Sequence, residues 1–236
     1  MSIRSNGTGA LEVPVTGGPG DAGAPLTMCA WVKVMARAGG FGSVLVYEDS
    51  FFNVAPGIIL TNLDDGLYFT PAPGTNNKIV DNALGFWSFV GLSWDGSTIA
   101  TAVGLDHNGV WIENTAASAG ANVPPFVFIG GQNIGGGVIT PDGDMLYRGV
   151  HLWKEKKSTQ FLKQQSRQLA PISEVNLWST LFPYDLSTKQ LGLSRVGHPW
   201  QDAEVVGPGS TWTTSSDEPP RPSTTGEPFG FDPIDP

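Results

Sequence analysis

The chain has 236 residues, of which 31 are glycine and 19 proline, and only 15% are charged. That mixture favours many short strands joined by tight turns over a helical protein, at a length all-β sandwiches use as one unit. Thirteen basic against 22 acidic residues leave a net charge of −9, which argues against a phosphate backbone as partner.

Strand-like runs follow one another: ALEVP (10–14), LTMCAWVKVM (26–35), SVLVYE (43–48), GIILT (57–61) and GLYFT (66–70). FWSFVGLSW (86–94), TIATAVG (98–104), VWIE (110–113), FVFIG (126–130) and DMLYRGVHLW (144–153) continue the series. Aromatic and β-branched residues fill them, and Gly, Asn, Asp or Pro separates them. Asp65-Gly66 and Asp95-Gly96 fall between strands and predict hairpins, with glycine supplying a left-handed turn position. Several runs are apolar on both faces, as in a sheet covered on both sides. A two-sheet antiparallel sandwich over roughly 10–155 follows, with a closed barrel as the alternative. Lone Cys29 lies inside one apolar run, which excludes an internal disulfide framework and predicts a small buried hydrophobe.

A helix is predicted over 158–169. Ser158 and Thr159 open it, Phe161, Leu162, Gln165 and Leu169 share a face, and Ala170-Pro171 stops it. Six of the thirteen basic residues (Arg148, Lys154, Lys156, Lys157, Lys163 and Arg167) gather around it. They read as a solvated helix face, with a nucleic-acid patch the competing reading. The chain thus divides into a sandwich (1–170), an ordered extension packed on it (171–212) and a Pro-rich acidic arm (213–236). In the arm, Phe229, Phe231 and Ile234 could anchor in a partner, and the acids suit a basic surface such as the 148–167 cluster of another copy. The opening MSIRSNGTGALEV has no signal-type apolar stretch, and no run reaches the ~18 apolar residues of a membrane span.

Residues 10–14 and 26–34, with FWSFVGLSWDGSTIATAVG (86–104), FVFIGGQ (126–132) and DMLYRGVHLWKEKKSTQFLKQQ (144–165), resemble the laminin G-like branch of the concanavalin A-like lectin/glucanase superfamily. The resemblance covers about 10–170 and implies a jelly-roll sandwich with a short terminal helix. VNLWSTLFPYDLS and GHPW beyond it resemble an extension seen in sandwich proteins encoded by bacterial viruses. The implied function is a non-catalytic structural or adhesive virion component of a bacteriophage, a capsid decoration or tail-associated protein. It would be made in the host cytoplasm and contact other virion proteins, copies of itself or cell-surface glycans. A free carbohydrate-binding module and a polysaccharide hydrolase are the alternatives.

Chemistry-bearing patterns are sparse. The superfamily's glucanases align carboxylates at alternate positions of one strand, whereas Glu48-Asp49 and Asp64-Asp65 are adjacent and would point to opposite faces. His107, His151 and His198 are too dispersed for a local metal motif. The resemblance implies glycan or calcium binding through rim loops, for which Asp49, Asp64, Asp65, Asp106, Asn108 and Trp111 are the candidates. A resident cofactor is not expected, calcium being the one alternative. Most of the eight tryptophans lie in strand runs and read as core.

Overall fold

The computed structural model describes residues 2–7, 9–15, 17–37, 42–48, 54–61, 64–118, 126–133, 139–141, 143–181, 190–191, 193–194, 203–206 and 212–220. Asp49, His198, Phe229, Phe231 and Ile234 lie outside them. The strands begin with β1 (Ser2–Arg4), β2 (Ala10–Pro14), β3 (Leu26–Ala36), β4 (Gly42–Glu48), β5 (Val54–Leu60), β6 (Leu67–Ala72) and β7 (Thr75–Val80). There follow β8 (Trp87–Trp94), β9 (Ile99–Leu105), β10 (Trp111–Ala117), β11 (Phe126–Ile129), β12 (Gly131–Asn133), β13 (Ile139–Pro141) and β14 (Asp144–Trp153). After helix α1 (Thr159–Gln165) come β15 (Leu177–Leu181), β16 (Gln190–Leu191), β17 (Leu193–Ser194), β18 (Ala203–Val206) and β19 (Thr213–Ser215).

The strands form two antiparallel sheets, a jelly-roll sandwich, with β12 and β13 as a separate ribbon. Sheet A runs β10-β9-β8-β3-β14-β1-β19, with β15 on the second half of β14 and β17 beyond it. Sheet B runs β16-β18-β2-β11-β4-β5-β6-β7. Alternation along each strand decides what meets between them. Met28, Ala30 and Val32 of β3, Leu92 and Trp94 of β8, and Tyr147 of β14 pack against Leu11, Leu45, Tyr47, Ile58 and Phe69 of sheet B. Phe128 is buried instead on the other face of sheet B, with Val46, Ile59 and Tyr68.

The opposite face of sheet A explains the doubly apolar strands. Cys29, Trp31, Trp87, Phe89 and Val103 form a second cluster there, closed by Leu162 of α1 and by Leu177. The cover is therefore the chain's own helix and extension. Gly91 makes room for it, since a Cβ there would fall 2.9 Å from Leu162 Cδ2. Ser158 caps the helix by accepting a hydrogen bond from the Phe161 N–H at 3.1 Å. The helix ends at Gln165, earlier than 169, because Gln165 is buried and organises the exit. Its Nε2 donates to the carbonyls of Gln168 (3.1 Å) and Ala170 (2.8 Å), and its Oε1 accepts from Ile172 N at 2.8 Å.

Of the two predicted turn glycines, Gly96 has φ +87°, and the Asp95 carboxylate accepts from the N–H groups of Ser97, Thr98 and Ile99. Gly66 has no positive φ; a side chain there would meet the Val80 carbonyl at 2.8 Å. The second glycine serves close approach, not turn handedness. Residues 213–220, expected to open the arm, lie on the chain's own sandwich: β19 pairs with β1 in the register Ser2↔Ser215, Ile3↔Thr214, Arg4↔Thr213. No helix among the described residues is long and apolar enough to cross a membrane.

Candidate carbohydrate-binding rim

Of the rim residues singled out, Asp106, Asn108 and Trp111 come from the hairpin joining β9 to β10. Asp106 is buried and holds its turn together, its Oδ1 accepting from Asn108 N at 2.9 Å and Val110 N at 2.8 Å. Gly109, at φ +80°, closes the turn by donating to the Asp106 carbonyl at 3.1 Å. Asn108 is left exposed at the tip. Trp111 sits beneath the helix, 5.6 Å from Lys163 Nζ and edge-on to Phe89 at 6.2 Å. Its ring is partly covered and serves helix docking.

Asp64 and Asp65 belong to the β5–β6 connection. Asp64 accepts from Gly66 N and Tyr68 Oη at 2.8 and 2.9 Å and pairs with Lys78. Burial works against its charge, but these bonds hold its carboxyl below the usual carboxylate range. Asp65 pairs with Arg37 at 3.1 Å. Among the described residues no three His, Cys, Asp or Glu side chains come together as a metal site.

Sequence reasoning missed Phe86, His107 and Leu84. The segment before β8 is tied to β3 by the Val34↔Leu84 bridge and by Gly85 N donating to the Val34 carbonyl at 2.7 Å. This sets the Phe86 ring flat against the His107 imidazole, centroids 4.0 Å apart and planes 12° from parallel. Phe86 nevertheless stays 46% exposed. Leu84, Val110 and Met35 are also exposed large apolar residues. His107 Nδ1 is buried without a hydrogen-bond partner. The available signal was Phe86 itself, an aromatic just before a strand whose inward register starts one step later.

His151 is wholly structural. Its Nε2 lies 3.0 Å from the Leu169 carbonyl and must donate, so Nδ1 accepts from Thr180 Oγ1 at 3.1 Å. Burial pushes its pKa down to about 4. Burial likewise pushes the Cys29 thiol up, leaving it un-ionised at neutral pH. The basic cluster is partly spent on neighbours: Lys163 on Glu113, Lys157 on Glu155, Arg148 on Glu218. Six of the seven tryptophans among the described residues are buried (Trp31, Trp87, Trp94, Trp153, Trp178 and Trp212), as expected of core.

No known protein family matches the sequence, and no curated protein matches it. Among solved structures, the chain is similar to Trypanosoma rangeli sialidase in complex with 2,3-difluoro-KDN, with a TM-score of 0.51 and 16% identity over 69% of this chain. The mouse laminin alpha1 chain, domains LG4-5, follows with a TM-score of 0.43 and 12% identity over 64% of this chain. The binding domain of botulinum neurotoxin DC in complex with SialylT gives 0.39 and 12% over 60%. The matched lengths are 26%, 40% and 36% of those chains, respectively. The likeness is one of fold.

Proposed function

We propose that the chain is a non-catalytic, lectin-like binding module whose rim around Phe86, His107 and Asn108 takes a glycan. The observation that carries this reading is the Phe86 ring, fixed in orientation by stacking on His107 yet half open to solvent. A sugar's C–H face stacks on such a ring, and a pre-set ring loses little freedom on binding. The exposed Asn108 amide, next to His107 in the chain, offers polar contacts beside it. The rim carboxylates support the absence of hydrolysis, since Asp64 and Asp106 are engaged in bonds that fix turns. A glycan array probed with the wild-type chain and with Phe86→Ala tests the site. The wild type should select a defined set of glycans and the variant should lose at least about tenfold in affinity, about 1.4 kcal/mol. Equal binding by both would move the site elsewhere.

The module's setting in this reading is a bacteriophage virion, as capsid decoration or tail-associated protein in contact with other virion proteins or copies of itself. The resemblance of residues 175–200 to extensions of phage sandwich proteins supports it. Mass spectrometry of gradient-purified particles should find the chain at stoichiometric copy number; its absence from particles would remove the virion setting and leave the binding reading standing.

A further inference from the structure

The outer face of sheet A carries a square of two indoles and two cations. Trp87 stands opposite Lys33 in the β8–β3 ladder, and Trp31 opposite Arg148 in the β3–β14 ladder. Lys33 lies two residues from Trp31, so both point the same way. The chain's acidic segment crosses this square after leaving β19. Asp217 Oδ2 accepts from Lys33 Nζ at 2.7 Å and Asp217 Oδ1 from Trp87 Nε1 at 3.0 Å. The Asp217 carbonyl accepts from Ser2 Oγ at 2.6 Å, and Glu218 Oε1 from Arg148 Nη1 at 2.9 Å. Pro219 is buried beside them.

These contacts have the form of a ligand in a receptor site. Two cations and an indole N–H are spaced to read two consecutive carboxylates, and the Ser2 hydroxyl reads the backbone between them. The Lys33 and Arg148 side chains are only 18% and 25% exposed, so both are partly desolvated in the presence of their acids. A cavity of about 260 Å3 remains between Glu218-Pro219-Pro220 and Trp31, Arg148 and Leu169. The segment's ladder is three residue pairs on β1, and an edge of that kind accepts the same strand from another chain equally well. The acid–proline pair of Glu218-Pro219 recurs in the sequence at Glu227-Pro228, Asp232-Pro233 and Asp235-Pro236.

We propose that Lys33, Trp87 and Arg148 form a receptor site for an extended acidic peptide, and that its ligand is the 213–220 segment, supplied by the same chain or by a second copy. Tethering gives the chain's own segment a high effective concentration, so exchange between copies shows when one partner's segment is disabled.

Complementation between two full-length variants tests this. One carries Asp217→Asn with Glu218→Gln and keeps the site but loses the ligand. The other carries Lys33→Gln with Arg148→Gln and keeps the ligand but loses the site. Sedimentation of the mixture should show a 1:1 complex that neither variant forms alone, and adding Asp217→Asn and Glu218→Gln to the second variant should abolish it. Two non-interacting species that each unfold at the wild-type temperature would overturn the proposal. A synthetic peptide of residues 213–220 supplies a readout independent of the second variant. It should bind the first variant at least about tenfold more tightly than it binds the wild type, whose site is already filled. Equal affinity for both, or preference of the opened site for an oligogalacturonate over the peptide, would equally overturn it. None of these readouts depends on glycan binding at the Phe86 rim.

Discussion

His151 shows how far one buried side chain couples this fold to pH. It is neutral in the folded protein, with a pKa pushed down to about 4 by burial, against about 6.5 in an unfolded chain. The unfolded state therefore binds the extra proton between those values, and stability present above pH 6.5 is lost as pH falls towards 4. The span corresponds to about 3 kcal/mol at most. Urea unfolding followed from pH 7 to pH 4 should show this slope, and His151→Gln should flatten it. The carboxylates held low by hydrogen bonds, Asp64, Glu155 and Asp217, contribute their own loss further down, below the unfolded carboxylate range. Phe128 tests packing at the same scale. It is buried with Val46, Ile59 and Tyr68, and Phe128→Ala should cost about 3–5 kcal/mol by chemical denaturation. A loss under about 1 kcal/mol would show that this face of sheet B contributes little.

At the scale of elements, α1 is the clearest case of a short helix held by tertiary contacts. Seven residues are too few to be helical alone in water. Ser158→Ala removes the cap and should cost about 1 kcal/mol. Leu162→Ala opens a hole over Gly91 and should cost about 2–5 kcal/mol. Reversal of that order, read from urea midpoints, would mean that the cap dominates. The helix was legible from Ser158, Phe161, Leu162 and Pro171 because capping and periodicity are local. Its end was not, because periodicity continues to Leu169 while the buried Gln165 side chain binds three backbone groups of the exit loop. The central strands were legible for the same reason as the helix start, in their runs of aromatic and β-branched residues. β7 was not: Asn76, Asn77 and Lys78 suit a turn, and only pairing with β6 makes them strand. The rim shows the same division. Asp106 and Asn108 were singled out from the sequence as rim candidates, whereas the Phe86–His107 stack joins two loops twenty-one residues apart in sequence and needed the sandwich to form it.

On the scale of the whole molecule, the two faces of sheet A have separate duties. The inner face closes the sandwich core, and the outer face holds both the helix and the acidic segment. Placing residues 217–220 there accounts for part of a strongly acidic C-terminal composition: Asp217 and Glu218 satisfy Lys33 and Arg148 on the sheet. The rim remains open, with its aromatic and apolar side chains exposed. The central claim is that this rim binds a glycan without changing it. Its most direct test is isothermal titration of an array-selected glycan into the wild-type chain, with the glycan recovered afterwards and analysed for new reducing ends. The account predicts saturable binding that Phe86→Ala weakens at least about tenfold, with the glycan returned intact. New reducing ends that vanish when a single carboxylate is replaced would contradict it.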